Sequence, residues 1–272
     1  MTGAFLEIEE LSCGYGRQVV LEKISFSVKK GDIVTIIGPN GCGKTTLLKT
    51  LPGLLPTLAG RVKMQGQDLE TMPRAERART IAMVLQTLES IHMTVEEYVL
   101  LGRLPHFSSW QFLENASDRD LARSFMSFTH IDHLRQSPLN CISSGERQLA
   151  GIAKALVQEP ALLLMDEPTS HLDISHQAQI LNRVKTMKDR HGLTVVMVQH
   201  DLNLASEYSD QVLLLDKDTQ TVFQYGTPET VITRDNIRSV YHTDVVVAPN
   251  PHSGRPGIFI KTDSQEKVST HD

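Results

Sequence analysis

Gly38-Pro39-Asn40-Gly41-Cys42-Gly43-Lys44-Thr45-Thr46 is the stretch that decides the fold. Gly38 and Gly43, followed by Lys44 and Thr45, fit the spacing of a phosphate-binding loop. The β-branched run Ile33-Val34-Thr35-Ile36-Ile37 before it reads as a buried parallel strand. After it, Leu47-Leu48-Lys49-Thr50-Leu51 begins a helix stopped by Pro52, which completes the order strand, loop, helix. Glycines let successive backbone N–H groups turn inward toward a phosphate, and the helix start adds unpaired N–H groups and the positive end of its dipole. Lys44 is then placed to reach the β- and γ-phosphates of a nucleotide, and Thr45 to offer its hydroxyl to Mg²⁺. Cys42 sits at a free position of the pattern and reads as a small filler.

Further along, apolar runs deliver polar residues at their carboxyl ends, where open α/β sheets bind ligands. Ala161-Leu162-Leu163-Leu164-Met165 ends in Asp166-Glu167. Burying two acids beside an apolar strand is costly unless a cation or proton compensates, so Asp166 reads as a Mg²⁺ ligand and Glu167 as the base that orients the attacking water. Thr194-Val195-Val196-Met197-Val198 ends in Gln199-His200-Asp201, and Ile81-Ala82-Met83-Val84-Leu85 ends in Gln86. His200 and Gln86 therefore join the candidate set. Tyr15, flanked by Gly14 and Gly16, either stacks on a base or lies on the surface as a turn residue.

Between Thr94 and about Val157 the pattern is helical, so a helical insert within an α/β domain is expected. Thr94 with Glu97 forms a capping box for a helix through Leu101 closed by Gly102 and Pro105. Ser117-Asp118 starts a second helix with Leu121, Phe125 and Phe128 on its apolar side. Ser143 with Glu146 forms another box, ahead of Leu149, Ile152, Ala153 and Leu156 at helical spacing. At the amino end, residues 5–11 and 24–28 read as strands joined by a loop over 12–17. Val212-Leu213-Leu214-Leu215 begins a set of peripheral strands, and the segment around Gly254 a hairpin turn.

The chain has 272 residues, 40% hydrophobic and 22% charged, enough for one or two domains with a full core. No apolar run approaches the ~18 residues that span a bilayer, and no basic-then-apolar leader is present, which points to a cytosolic chain. Cys13, Cys42 and Cys141 are odd in number and unpaired in spacing, which suggests neither a disulfide framework nor a zinc site. A net charge of −5 argues against a nucleic-acid partner.

Taken in order, these motifs resemble the nucleotide-binding subunits of ATP-binding cassette (ABC) transporters over residues 5–260. Tyr15 matches the adenine-stacking aromatic, Gly38 to Thr46 the Walker A loop, Gln86 the Q-loop and Ile142 to Gln148 the signature motif. Asp166 and Glu167 match the end of Walker B, Ser170 to Asp173 the D-loop, and His200 the switch histidine. The resemblance implies a P-loop (RecA-like) α/β core with a mainly parallel sheet, an N-terminal antiparallel β subdomain and a helical subdomain insert. One ATPase domain would cover 1–240, with 1–86 and 161–240 as core and β subdomain and 87–160 as the insert; 241–272 would be a short C-terminal extension. It also implies a head-to-tail homodimer around ATP and Mg²⁺. Ser143, Gly145 and Glu146 of one chain would then grip the γ-phosphate held by Lys44 of the other. Gln86 would reach the Mg²⁺ and link the site to the insert, where integral membrane permease subunits dock. The chain would sit peripherally on the cytoplasmic face of the membrane and meet a substrate-binding protein only indirectly.

The family's signature has two consecutive glycines where this chain has Ser144-Gly145. If Ser144 needs φ > 0 it costs roughly 1 kcal/mol, and slower or weaker closure is expected. Leu101 to His106, Ala78-Arg79 and Gly254-Arg255-Pro256 resemble importers of iron-siderophores, haem and cobalamin. Molybdate-type oxyanion importers share that architecture, and a soluble, non-transport ABC ATPase is the alternative of a different class.

Overall fold

The computed structural model describes residues 3–85, 92–107, 113–170 and 172–261. Along the chain, β1 (Leu6–Tyr15) and β2 (Gln18–Val28) form an antiparallel hairpin, and β3 (Ile33–Ile37) runs into the glycine loop and α1 (Lys44–Thr50). β4 (Thr57–Met64) pairs with the free edge of β1, and β5 (Gln67–Asp68) with β4. α2 (Arg74–Thr80) leads into β6 (Ile81–Val84). Then come α3 (Val95–Leu100), α4 (Ala116–Phe128) and α5 (Ser144–Val157), with no strand among the described residues between β6 and β7 (Leu162–Asp166). α6 (Ile174–His191), β8 (Thr194–Val198), α7 (Leu202–Tyr208), β9 (Gln211–Leu215) and β10 (Val222–Gly226) follow. α8 (Pro228–Val231), α9 (Arg234–Tyr241) and the hairpin β11 (Val245–Pro249) and β12 (Pro256–Ile260) are the last elements among the described residues.

The main sheet has the order β10-β9-β3-β8-β7-β6, parallel throughout except for the edge pair of β9 and β10. Its central strands are buried on both faces, which is why they read as unbroken apolar runs. Alternate residues supply the two faces. Leu162, Leu164 and Val196 pack with Leu47, Leu48, Ile24 and Leu6, on the side of α1 and the N-terminal sheet. Leu163, Met165, Val195 and Met197 pack with Ile152, Leu156, Met126, Ile180 and Val184, on the side of the insert and α6. The insert thus finds its partner surface on one face of the sheet. Each such side chain, fully buried, contributes about 1.5–3 kcal/mol.

Several expectations need correction. The first hairpin is tighter than a loop over 12–17: β1 continues to Tyr15, and Gly14 makes this possible, since a Cβ there would lie 1.9 Å from the Gln18 carbonyl oxygen. β9 is not peripheral but pairs directly with β3, and four of its five residues are buried. Helix α3 ends at Leu100, one residue short of the expected end, and a 3₁₀ turn, Leu101–His106, follows it with Gly102 and Pro105 inside. Asn115, not Ser117, caps α4 in a box with Asp118. The α4 residues with no exposure are Ala122 and Met126, whereas Leu121, Phe125 and Phe128 are half-buried beside them.

The 3₁₀ turn ties the insert to the sheet. Arg103, 12% exposed in its side chain, pairs with Asp118 at 3.0 Å and donates to the Val157 carbonyl at 2.8 Å. Arg79 donates to the Pro105 carbonyl, and Gln158 to those of Ala78 and Ile81. Breaking a buried ion pair from one side costs about 3–5 kcal/mol, so Arg103→Met is expected to lower the thermal midpoint clearly in calorimetry. Unchanged melting would show that the Arg103–Asp118 pair carries no net stability.

Candidate functional site

β8 lies between β3 and β7, so three carboxyl ends converge: the glycine loop after β3, Asp166-Glu167 after β7, and Gln199-His200 after β8. Gly43 caps α1 in the left-handed conformation at φ 99°, and a Cβ there would meet Leu21 at 2.8 Å and Val20 at 2.9 Å. Both the backbone shape and the packing of the loop against β2 therefore call for glycine.

Lys44 is buried beneath the loop, where Nζ donates to the carbonyl oxygens of Gly38 at 2.8 Å and Pro39 at 3.0 Å. Burial pulls its pKa below the usual lysine range, and the nearby Cys42, Glu167 and Asp166 oppose that shift. A cation held on two neutral carbonyls gains when an anionic phosphate arrives. Asp166 is 3% exposed, and burial raises its pKa above the usual carboxylate range while the Thr45 hydroxyl holds it down. Thr45 Oγ1 donates to Asp166 Oδ1 at 3.0 Å. These two hard oxygens, one at the start of α1 and one at a strand end, suit Mg²⁺ shared with phosphates.

Asp166→Asn removes the desolvation cost of a buried carboxylate and keeps a side chain that can accept from Thr45. The ligand-free fold is expected to melt no lower, and by the same change Mg²⁺-dependent hydrolysis is expected to fall at least about a hundredfold. A melting midpoint lowered by the substitution would contradict this reading of Asp166.

Glu167 follows with a left-handed backbone at φ 49°, rare for a residue with a Cβ. That turn directs its carboxylate to His200, whose Nε2 it contacts directly through Oε1. Both side chains line a cleft of 450 Å³ with Tyr15, Val20, Asn40, Gly41, Gly43, Lys44, Thr45 and Thr46. This volume is within the range of small-molecule and cofactor sites. Tyr15 is 52% exposed, so both of its sequence readings contain something true: it is a surface turn residue, and its ring borders the cleft.

Not every candidate is in that cleft. Cys42 is buried in the core under the loop, and burial raises its thiol pKa; Gly38 and Pro39 act through their carbonyl oxygens. Ser143, Gly145 and Glu146 stand elsewhere, at the start of α5, and do not line it. There the capping box is complete: Glu146 N–H donates to Ser143 Oγ at 3.2 Å, and Ser143 N–H to Glu146 Oε2 at 2.8 Å. Hydrogen bonds from the Ser143 hydroxyl and backbone N–H hold Glu146 below the ordinary carboxylate pKa. Ser144 is the first residue of α5 and is not left-handed, so the expected strain does not arise. Gln86 lies outside the described residues, as does His171 within the segment Ser170 to Asp173.

Val20 went unnoticed in the sequence; it lines the cleft because β2 begins at Gln18, where the sequence reading began that strand at residue 24. Thr169 and Gln199, both buried just behind Glu167 and His200, also escaped notice. A lone polar residue closing an apolar strand was the available signal for Gln199.

Residues 21–170 match the family model described as ABC transporter. The chain is 38% identical to the iron(3+)-hydroxamate import ATP-binding protein FhuC of Bacillus subtilis (strain 168), over 92% of this chain and 93% of that one. It is 36% identical to the ferric enterobactin transport ATP-binding protein FepC of Escherichia coli (strain K12), covering 93% of each. With the hemin import ATP-binding protein HmuV of Pseudomonas entomophila (strain L48) the identity is 37%, over 94% of this chain and 100% of the relative. Among solved structures, a chain from a transporter described as of the metal-chelate ABC type, in an inward-facing conformation, superposes with a TM-score of 0.81 at 27% identity, covering 94% of this chain and 96% of that one.

Proposed function

This chain belongs to the ABC transporter family and is an ATP-hydrolysing ATP-binding protein, and from that premise we propose that it powers uptake of a metal chelate through a membrane permease. The observation that carries the hydrolytic reading is the convergence of Lys44, Thr45 and the Glu167–His200 pair on one cleft, with the buried Asp166 bonded to Thr45. Support for the cargo class comes from relatives named for ferric hydroxamate, ferric enterobactin and hemin import. Import of an oxyanion, or a soluble role, has no such support among them.

The chemistry follows from the groups present. The triphosphate lies along the amides of Gly41 to Thr46, and Lys44 exchanges the Gly38 and Pro39 carbonyls for phosphate oxygens. Thr45 and Asp166 would hold Mg²⁺, with Gln86 as a further ligand that would connect the site to the insert, and the ion would supply positive charge to the phosphates. Glu167 accepts a proton from the attacking water, and His200 orients that carboxylate and contacts the γ-phosphate. Tyr15 covers the base.

In the proposed homodimer, the start of α5 from the second copy closes each site, which accounts for Ser143, Gly145 and Glu146 standing apart from the cleft of their own chain. The dimer sits on the cytoplasmic side of two integral membrane permease subunits, which receive cargo from a substrate-binding protein. ATP binding closes the dimer and moves the permease; hydrolysis reopens it.

Mixing two defective chains tests the shared site. Lys44→Ala and Ser143→Ala are each expected to hydrolyse poorly, but their heterodimer contains one site with an intact Lys44 and an intact Ser143. Phosphate release is therefore expected to recover on mixing, whereas a site built within one chain would show no recovery. Cells lacking the chain are expected to lose uptake of labelled ferric hydroxamate, ferric enterobactin or haem, with restoration by the wild type and not by Glu167→Gln. Normal uptake of all three would sink the cargo assignment.

A further inference from the structure

Thr169 and Gln199 are 4% and 2% exposed, and neither lines the cleft. Thr169 lies two residues beyond Glu167, and Gln199 immediately precedes His200. Thr169 Oγ1 donates to Gln199 Oε1 at 3.0 Å, with both ends buried. The Gln199 N–H donates to the Ile36 carbonyl at 3.2 Å, which anchors it to the strand that enters the phosphate loop. On the other side, Gln177 Nε2 from α6 donates to the carbonyls of Thr169 at 3.3 Å and Leu172 at 3.1 Å, and Ser170 Oγ to that of Glu167 at 3.0 Å.

Fold stability alone does not account for the glutamine. Its Nε2 is buried and has no hydrogen-bond partner among the described residues, and an unsatisfied buried donor is destabilising. A methionine of similar shape would remove that donor but leave the buried Thr169 hydroxyl without its acceptor, so the glutamine gains the fold little net stability. What only a polar side chain provides here is the acceptor for Thr169, and that bond spans the two turns that bring Glu167 and His200 together.

We propose that Gln199 and Thr169 are positioning residues for ATP hydrolysis, their buried bond fixing Glu167 relative to His200. The role rests on the reading of Glu167 and His200 as the hydrolytic pair. It makes the catalytic carboxylate depend on the end of β8 as well as on its own strand.

Initial rates of phosphate release from Mg-ATP, with the ATP concentration varied, and thermal midpoints of the full chain test it. Gln199→Met and Thr169→Val are each expected to lower kcat roughly 10- to 100-fold with KM changed less than about twofold, because misplacement by a fraction of an ångström acts on the chemical step. The melting midpoint of Gln199→Met is expected to move little, since one unpaired buried donor is exchanged for another, Thr169→Ser to restore kcat, and the double variant to be no worse than either single one. Near-normal kcat in both single variants, or losses that track lowered midpoints, would overturn the proposal. Glu167→Gln and His200→Ala, measured alongside, separate the two readings. If these are inactive while Gln199→Met and Thr169→Val are not, the positioning role fails alone. Normal turnover by Glu167→Gln would remove the hydrolytic pair itself.

Discussion

Glu167→Gln is expected to bind Mg-ATP with near wild-type affinity and to hydrolyse it roughly 10²- to 10⁴-fold more slowly, the usual contribution of a positioned general base. The substitution keeps the length of the side chain and an oxygen that can meet His200, but it removes the group that takes the proton from water. The left-handed turn at φ 49° is a backbone property set by β7 and the loop that follows, so the amide occupies the same place. Binding should survive because the phosphate contacts belong to the glycine loop, Lys44 and Thr45, none of which changes. Single-turnover hydrolysis and equilibrium nucleotide binding check the two halves of the statement. Turnover within a few-fold of wild type would take the base role from Glu167.

Lys44→Ala is expected to abolish useful ATP binding. Hydrogen bonds to charged groups contribute about 1.5–3 kcal/mol each, so loss of contacts to two phosphates predicts at least a hundredfold weaker binding. The ligand-free protein is affected in a different way. Burial disfavours the ammonium form and lowers its pKa, so removing it lifts a desolvation cost while it deprives the Gly38 and Pro39 carbonyls of their donor. These effects oppose, and the melting midpoint without nucleotide is expected to move little. The upward shift that saturating Mg-ATP gives the wild type, which follows from binding to the native state alone, is expected to vanish. A preserved shift would show that the lysine is not a principal phosphate contact.

Much of this architecture could be read from local pattern. Ile33 to Ile37 and Thr194 to Val198 are apolar and β-branched, Leu162 to Met165 is a short unbroken apolar run, and all three are strands buried on both faces that lead into the glycine loop, Gln199-His200 and Asp166-Glu167 respectively. Glycine loop, acid pair and histidine were therefore legible as a group, and the structure places the loop, Glu167 and His200 around one cleft, with Asp166 bonded to Thr45 of its lining. The boxes at Thr94 and Ser143 were legible because capping is settled within four residues.

Strand order is not local. Val212 to Leu215 carries no mark that would place it beside β3, so its interior position appeared only in three dimensions. The extent of β1 turned on Gly14, whose role is to admit the Gln18 carbonyl, a contact invisible in composition. On α4 the large residues Leu121, Phe125 and Phe128 suggested the buried side, but the close approach of the helix to its neighbours selected small and flexible ones, Ala122 and Met126. Thr169 and Gln199 are distant in sequence and meet because β7 and β8 are neighbours. The signature residues illustrate a further limit: their capping is intramolecular and readable, whereas the anion they are proposed to receive belongs to a second copy.

Isolation of the tagged Glu167→Gln chain from membranes solubilised with Mg-ATP, followed by identification of what accompanies it in stoichiometric amount, tests the importer assignment most directly. A polytopic membrane protein in a ratio of one per ATPase chain, with chelated metal carried by the assembly, is the expected result. Ribosomes, nucleic acid or soluble protein in its place, with no membrane partner, would contradict it.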